Sequence, residues 1–553
     1  MDYDLVFFHP PSVYDFRKKP WFPGPIARTV HFTPAFYGLP IGYISMAEYV
    51  ERHGYKVRIF NLAEYMLESK NFDPEEFIKK IKSKFYCIGL HFCVHSQGAL
   101  EIARISKIHH EDSIIIMGGL TATAFSIELI SNHSYVDYVI KGEGEIPLLN
   151  MLEGKKNSEI PNLLYKDKNG RIKENKKSWI ANCLDEFNFT RLDLITPNNL
   201  LTSIHTELGI KKHWMIPICR GCIFNCVSCG GSKYSYSNMF NRDKPIFRSE
   251  EKIVDDFQKL SKQGINSVFL FMDMRMGGKK YWKSLVKTLS SSDLGIEFLT
   301  LELFTPGNNE FLSEIAHLNK NIRVSFSISP ESGNDKVRSI HGRLYKTEAL
   351  IETVRFCRRN GLGIGVFFMF GMANQTMDSL DDTYNLFVKL NDINSEPGSG
   401  PGVRIQFGEM LLLDPGSSAF DNPEKHGYKL IFNTLQDYIN GMSSPAWTDW
   451  LSYETKELNR EEILRLPIYF RDKLVSFYHS RDMISNEQAK TEYNKNKIDL
   501  IIIEELEKIG KIKNIQRKEK RYWSLYNALK DYDNGKLSYS WRIKKKLGIL
   551  DVL

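Results

Sequence analysis

Three cysteines in the run Arg220-Gly221-Cys222-Ile223-Phe224-Asn225-Cys226-Val227-Ser228-Cys229 carry the clearest chemistry in this chain. Their spacing, Cys222-x3-Cys226-x2-Cys229, lets one tight loop deliver three thiolates to a cubane iron–sulfur cluster. A fourth thiolate would close the cluster, whereas three leave one iron with an open position at which chemistry can occur. A structural zinc site usually brings a second ligand pair at comparable spacing, and none is evident. The pattern therefore predicts a 4Fe-4S cluster on Cys222, Cys226 and Cys229. It also requires a ligand for the open iron and a scaffold for the loop. Cys219 reads as an apolar strand residue.

The bulk composition allows such a scaffold. At 553 residues the chain can hold three or four domains with full cores. Apolar residues make up 42% and charged residues 25%, ordinary values for a water-soluble fold. The eight cysteines are mostly scattered and do not form a disulfide framework, so reduced thiols are expected. A net charge of +7, with both signs interspersed, does not mark a nucleic-acid binder. The opening Met1-Asp2-Tyr3-Asp4 places acid where a signal peptide carries base. No apolar run approaches membrane-spanning length. A cytoplasmic protein is the expectation.

The elements that must position the cysteines are α/β. Residues 1–150 alternate apolar strands (Leu5–Phe8, Lys56–Asn61, Phe85–Leu90, Ser113–Met117, Val136–Ile140) with helices such as Gly42–His53 and Gln97–His109. That order predicts a doubly wound, Rossmann-like parallel sheet whose ligand sits at the carboxyl ends of the strands. Residues 151–210 read as a linker with a small hairpin around Lys168-Asn169-Gly170. Residues 211–420 supply six more strand–helix units, with strands at Met215–Ile218, Ser267–Met272, Glu297–Leu303, Arg323–Ile328, Gly363–Phe370 and Val403–Leu412. Six units predict a partial (β/α) barrel with its site at the strands' carboxyl ends. Residues 421–553 form a mainly helical region, for example Ile498–Lys508 and Lys518–Asp531.

The cysteine loop, directly after the first barrel strand, resembles the signature of the radical SAM superfamily, and further motifs follow in order over residues 213–420. The resemblance implies that S-adenosylmethionine (SAM) occupies the open iron. Met272-Asp273-Met274-Arg275 stands where the family holds the methionyl amine, which implies that role for Asp273; capping of the next helix is the other reading. Ser327-Ile328-Ser329-Pro330-Glu331-Ser332-Gly333 resembles the segment reaching the ribose and carboxylate, with Ser329 and Glu331 as its polar atoms. Phe370-Gly371-Met372-Ala373-Asn374-Gln375-Thr376 resembles the turn at the adenine, which Gly371 would let the backbone approach. Asp414-Pro415-Gly416-Ser417 resembles the turn closing the sixth strand. Ser228 departs from the aromatic residue many members carry before the last cysteine.

The first domain resembles the cobalamin-binding domain fused to many radical SAM enzymes. The likeness rests on His9-Pro10-Pro11, Leu39-Pro40-Ile41-Gly42, Met117-Gly118-Gly119 and Lys141-Gly142-Glu143-Gly144-Glu145. It implies cobalamin contacts at His9, Pro10, Gly118, Gly119, Gly142 and Glu143; a generic nucleotide-binding domain is the alternative. The Asp-x-His-x-x-Gly motif that supplies a lower cobalt ligand elsewhere is absent. His91 and His95 near the end of strand three read as a ligand or as ordinary loop residues.

Together the resemblances imply reductive cleavage of SAM to a 5′-deoxyadenosyl radical and methylation of an unactivated carbon. Cyclisation, rearrangement or oxidation without methyl transfer is a second outcome, and a cobalamin- or redox-responsive sensor is a reading of another class. The implied partners are a small-molecule or peptide substrate and a flavodoxin- or ferredoxin-like electron donor. Glu302, Arg404 and Gln406 are polar residues on barrel strands that either face substrate or form buried salt bridges. Near the carboxyl terminus, basic Lys511–Arg521 and Trp541–Lys546 lie among Tyr522, Trp523, Tyr526, Tyr532, Tyr539 and Trp541. These read as a solvated helical face over an aromatic core rather than an RNA or peptide surface.

Overall fold

A computed structural model describes residues 2–22, 24, 33–206, 209–318, 322–398, 400–408, 410–532, 543–544 and 549–550. Tyr539, Trp541 and most of the basic stretch that follows them lie outside the described residues.

Strands rich in Val, Ile and Phe, buried on both faces, favour a parallel sheet under crossover helices. The first sheet is built from β1 (Asp2–His9), β2 (Val57–Asn61), β3 (Lys82–Gly89), β4 (Ile114–Gly118) and β5 (Tyr138–Ile140), all parallel. In β1, Leu5, Val6, Phe7 and Phe8 are fully buried. Residues 151–210 do not hang between two units as a linker. The hairpin β6 (Leu163–Lys166) and β7 (Ile172–Glu174) pairs antiparallel onto β5, and β8 (Ile195–Thr196) pairs parallel onto β2. The order is β7-β6-β5-β4-β3-β1-β2-β8. Connections run one way from β1 to β2 and the other way through β3, so the switch point lies between β1 and β3. That crevice is where doubly wound sheets bind ligands.

The second sheet begins with an antiparallel ribbon, β9 (Ser203–Thr206) and β10 (Gly209–Pro217). After β10 a two-residue ladder joins β11 (Cys219–Arg220) to β12 (Ile246–Phe247). Then β13 (Ser267–Phe271), β14 (Phe298–Leu303), β15 (Arg323–Glu331), β16 (Gly363–Met369) and β17 (Arg404–Gly408) continue parallel to β10. In the order β17-β16-β15-β14-β13-β10-β9 the described residues of β17 and β10 do not pair with each other, so the barrel is partial. Burial alternates strictly along β14, with Leu299, Leu301 and Leu303 against the helices and Phe298, Thr300 and Glu302 half-buried on the inner face.

The covering helices follow from local sequence. In Glu250–Lys262 the Ser249 side chain accepts from Lys252 N, and Glu250 and Glu251 lie in the first turn. Ile253, Val254, Phe257 and Leu260 recur at helical spacing and are buried. Each contributes about 1.5–3 kcal/mol of burial.

Of the carboxyl-terminal helices, Arg460–Ser480 packs beside β16 and β17, Asn486–Gly510 packs on it, and Ile515–Tyr532 packs on Asn486–Gly510. The Phe470 ring lies 4.7 Å from Phe407 and 5.1 Å from Phe370. Phe22 N donates to Pro445 O (2.8 Å) and Trp447 N to Phe22 O (2.9 Å), which ties this region to the first domain as well. Tyr522 is buried with its ring 5.9 Å from Phe22, a core position rather than a binding surface. No described helix is long and apolar enough to cross a membrane.

Candidate functional site: a cysteine loop beside an inter-domain cavity

The loop after β10 is fixed mainly by its own backbone. Cys229 N donates to Cys226 O (3.3 Å), Ser232 N to Cys229 O (3.2 Å), Lys233 N to Phe224 O (2.8 Å), and Tyr234 N to Asn225 Oδ1 (2.9 Å). Two further amides point at sulfur: Phe224 N at Cys222 Sγ (3.4 Å) and Gly231 N at Cys229 Sγ (3.3 Å). Such N–H···S contacts favour thiolate and tune a cluster. Burial acts the other way, pushing the Cys222 thiol up to about 11. A bound metal supplies the positive charge that overcomes this cost. The three thiols sense one another electrostatically, as parts of one site. Among the described residues no three His, Cys, Asp or Glu side chains converge on a single ion. A cubane differs in taking its three thiolates at three separate irons.

Two later turns brace the loop. Asp414 N donates to Ser228 O (3.2 Å), Ala419 N to Val227 O (2.8 Å), and Gly230 N to Asp414 Oδ2 (2.9 Å). On the other side His341-Gly342-Arg343 packs against Asn225 and Cys226. Gly342 has φ +90, and a Cβ there would lie 2.6 Å from Asn225 O and 3.1 Å from Cys226 Cα. That approach is open only to glycine. It brings the Arg343 guanidinium beside the Cys226 thiol, whose pKa it lowers against the larger effect of burial. Arg343 also pairs with Glu331. Glu331 ends β15 at φ +65, after a register shift between Ile328 and Glu331. A non-glycine residue held there stores roughly 1–3 kcal/mol of strain, as ligand-binding sites often do. Ser329 lies half-buried in the same segment.

Two residues expected at SAM are otherwise engaged. Asp273 accepts from Arg275 N (3.0 Å) and Phe304 N (2.9 Å), and its two oxygens pair with Arg275 Nε (2.9 Å) and Nη2 (2.5 Å). It therefore caps the short helix Met274–Gly277 and pins the loop after β14. Glu302, on the inner face of β14, is the carboxylate left beside the cysteines. Met272 N donates to its Oε2 (2.7 Å), and burial, with Asp273 nearby, holds its pKa above the usual carboxylate range. Gly371 has φ +78, but a Cβ there would meet Tyr453 Oη (2.9 Å) and Ile463 Cγ2 (3.0 Å). Close packing of the carboxyl-terminal region thus requires glycine here.

A cavity of about 640 Å³ lies between the two sheets. Phe7, Gly42, Gly89, His91 and Gly118 line it from the first domain; Met215, Pro217, Arg220, Phe269 and Phe271 line it from the barrel and its cysteine loop. It receives the carboxyl ends of both sheets and reaches the root of the cysteine loop. The wall is largely apolar and rich in glycine. A Cβ at Gly42 would meet nothing within 4 Å, and one at Gly118 only Ile140 O at 3.5 Å, so side chains here would project into free space. Such a cradle fits a large planar ligand. Gly119 serves another purpose: at φ +114, a Cβ would lie 2.7 Å from His91 Cα. Gly142 lines the wall at φ +86, against Phe240.

Glu143 also reaches the wall, but its carboxylate is spent on arginines. Arg242 Nη2 meets Glu143 Oε1 at 2.5 Å; Arg220 Nη1 meets Glu143 Oε2 at 2.6 Å, and Arg220 Nη2 meets Glu145 Oε1 at 2.7 Å. Ser45 Oγ completes the network on Glu145 Oε1 (2.9 Å). The first domain is thereby ionically bolted to the residue two before Cys222. His9 and Pro10 are buried and are not among the cavity walls; His9 Nε2 faces Phe36 O at 3.3 Å. The motif Arg220-Gly221-Cys222 pointed to the loop, but nothing local signalled that Arg220 and Arg242 would meet Glu143, or that Arg343 would reach Cys226.

Residues 216–387, holding β10, the cysteine loop and the barrel through the helix Met377–Ile393, match the Radical SAM superfamily. Residues 216–387 thus form a radical SAM domain. The chain is 24% identical over 371 residues to "Uncharacterized methyltransferase PH0819" of Pyrococcus horikoshii, covering 64% of the chain and 74% of that protein. It is 23% identical over 301 residues to the anaerobic magnesium-protoporphyrin IX monomethyl ester cyclase of Rubrivivax gelatinosus, covering 51% of the chain and 50% of the cyclase. Its fold is shared with the solved cobalamin-dependent S-adenosylmethionine radical enzyme OxsB at a TM-score of 0.55 and 15% identity, over 96% of this chain and 75% of that one. The doubly wound sheet, partial barrel and helical cap are thus one recurring architecture.

Proposed function

We propose that this chain is a cobalamin-dependent radical SAM enzyme that cleaves SAM reductively and methylates an unactivated carbon of a small-molecule or peptide substrate. One observation carries the reading: a glycine-cradled cavity at the carboxyl ends of both sheets ends at the root of a three-cysteine loop. When bound, a 4Fe-4S cluster supplies the electron and SAM the radical precursor, while cobalamin relays a methyl group. The chain's own share is to bind and orient. Cys222, Cys226 and Cys229 would hold the cluster. Arg343 offers positive charge beside Cys226, while Ser329 and Glu331 offer polar atoms at the end of β15. Glu302 is the candidate for a cationic amine, because its carboxylate is within the barrel and, among the described residues, accepts only from Met272 N. The apolar cavity excludes water from whatever sits in it. An electron donor of flavodoxin or ferredoxin type is part of the proposal.

The cyclase among the relatives supports a second outcome, radical chemistry without methyl transfer. Anaerobic reconstitution with iron, sulfide and hydroxocobalamin, followed by SAM and a reductant, separates the readings. Both enzymatic outcomes require 5′-deoxyadenosine. Only methylation yields S-adenosylhomocysteine and label from methyl-labelled SAM in the product. Alanine at Cys222, Cys226 or Cys229 is expected to abolish 5′-deoxyadenosine; production surviving in all three variants would overturn the proposal.

A further inference from the structure

The histidines whose side chains are described are hydrogen bonded, with one exception. Every other histidine with a described side chain hydrogen bonds a named partner. Near the cavity, His9 and His95 both use Phe36 O, and His213 meets Ser267 Oγ at 3.1 Å. His91 alone has no side-chain hydrogen bond among the described residues, yet it lines the cavity. Its ring packs edge-on against Phe92 (4.6 Å), and an imidazole with no hydrogen-bond partner among the described residues, in a largely apolar wall, calls for a ligand.

Its backbone, by contrast, is firmly held. His91 O accepts from Thr121 N (3.2 Å) and Thr121 Oγ1 (3.0 Å), and Leu90 O accepts from Ala122 N (2.9 Å). Leu90 N donates to Gly118 O (2.8 Å), and Gly119 lacks the Cβ that would collide with His91 Cα. The residue follows the carboxyl end of β3 and therefore borders the β1/β3 switch point. A rigid platform carrying a free side chain into the crevice is how a preorganised ligand is built.

We propose that His91 is the protein's axial ligand to cobalt when cobalamin fills this cavity, taking the place of the cofactor's own base. The inference rests on the cobalamin reading above and deepens it. Burial lowers the His91 pKa to about 4, so the ring is neutral, the form that ligates metal, throughout the physiological range. Among the described residues no carboxylate acts on the ring to raise its basicity, so a bond to cobalt would be a weak one. Weak ligation suits a cobalt whose opposite face must take up and release a methyl group.

The test is electron paramagnetic resonance of protein loaded with cob(II)alamin and freed of unbound corrin, with protein prepared in natural abundance and with nitrogen-15 histidine. Ligation by histidine splits each cobalt line into a triplet that becomes a doublet on labelling, whereas ligation by the cofactor's own base is unaffected by the label. In His91→Ala the label-sensitive splitting is expected to vanish while corrin is still retained. Corrin bound to the wild type with no label-sensitive splitting overturns the His91 assignment alone. Failure of the wild type to retain any corrin overturns the cobalamin reading with it.

Discussion

At the scale of single residues, charge placement decides how the cysteine loop is held. Arg220 and Glu145 are buried partners, and breaking such a pair from one side leaves an uncompensated charge costing about 3–5 kcal/mol. Arg220→Ala strands the charge of Glu145 and leaves Glu143 paired with Arg242 alone. We expect it to lower stability by a few kcal/mol in denaturant unfolding and to reduce the iron retained after reconstitution. Glu302→Gln is expected to raise the KM for SAM at least several-fold with little change in stability, because Met272 N keeps a carbonyl acceptor. Asp273→Asn should instead show mainly as instability, since it disrupts the contacts with Arg275. Sequence proximity favoured Asp273 because it directly follows the second barrel strand. Arg275, only two residues on, claims it, and the free carboxylate comes from the next strand over.

At the scale of elements, the strands of both sheets were legible because apolar runs bounded by turns and helical periodicity leave few alternatives. Pairing was less so. The hairpin of β6 and β7 could be read from Lys168-Asn169-Gly170, but its addition to β5 is a non-local contact with no local signal. Glycines were read with the same limit: their positions suggested close approach, not the identity of what approaches. Gly371 meets Tyr453 and Ile463 from the carboxyl-terminal region, and Gly119 meets the backbone of His91. Gly342 braces the cysteine loop from a turn more than a hundred residues later. Gly342→Ala forces a Cβ to within 2.6 Å of Asn225 O at a positive φ. We expect roughly 1–3 kcal/mol of destabilisation, with faster loss of iron and bleaching of the cluster absorbance under chelator than in the wild type. Chelation kinetics unchanged from the wild type would show that the turn does not brace the loop.

At the scale of the whole molecule, the passage from the first sheet to the second runs through a buried acid. Glu64, in the helix Leu62–Glu68 after β2, is fully buried. Leu200 N, just before β9, donates to its Oε1 (2.7 Å), and Asn61 Nδ2 lies 3.3 Å from Oε2. Burial outweighs these bonds and pushes Glu64 up to about 7 from an ordinary 4.5. The folded state thus binds this proton more tightly than the unfolded chain does. Its stabilising contribution is complete below pH 4.5 and is lost as pH rises through about 7. Above that, an ionised carboxylate sits in the joint between the two sheets, at a cost on the order of 3 kcal/mol. Glu64→Gln keeps the acceptor and removes the charge. The wild type should therefore lose stability relative to the variant between pH 5 and pH 8.5, in paired denaturant titrations at fixed ionic strength. A constant difference between the two proteins across that range would mean that Glu64 does not titrate there. If the difference appears, the joint loosens at alkaline pH, and the cavity spanning both sheets should lose its ligand over the same interval.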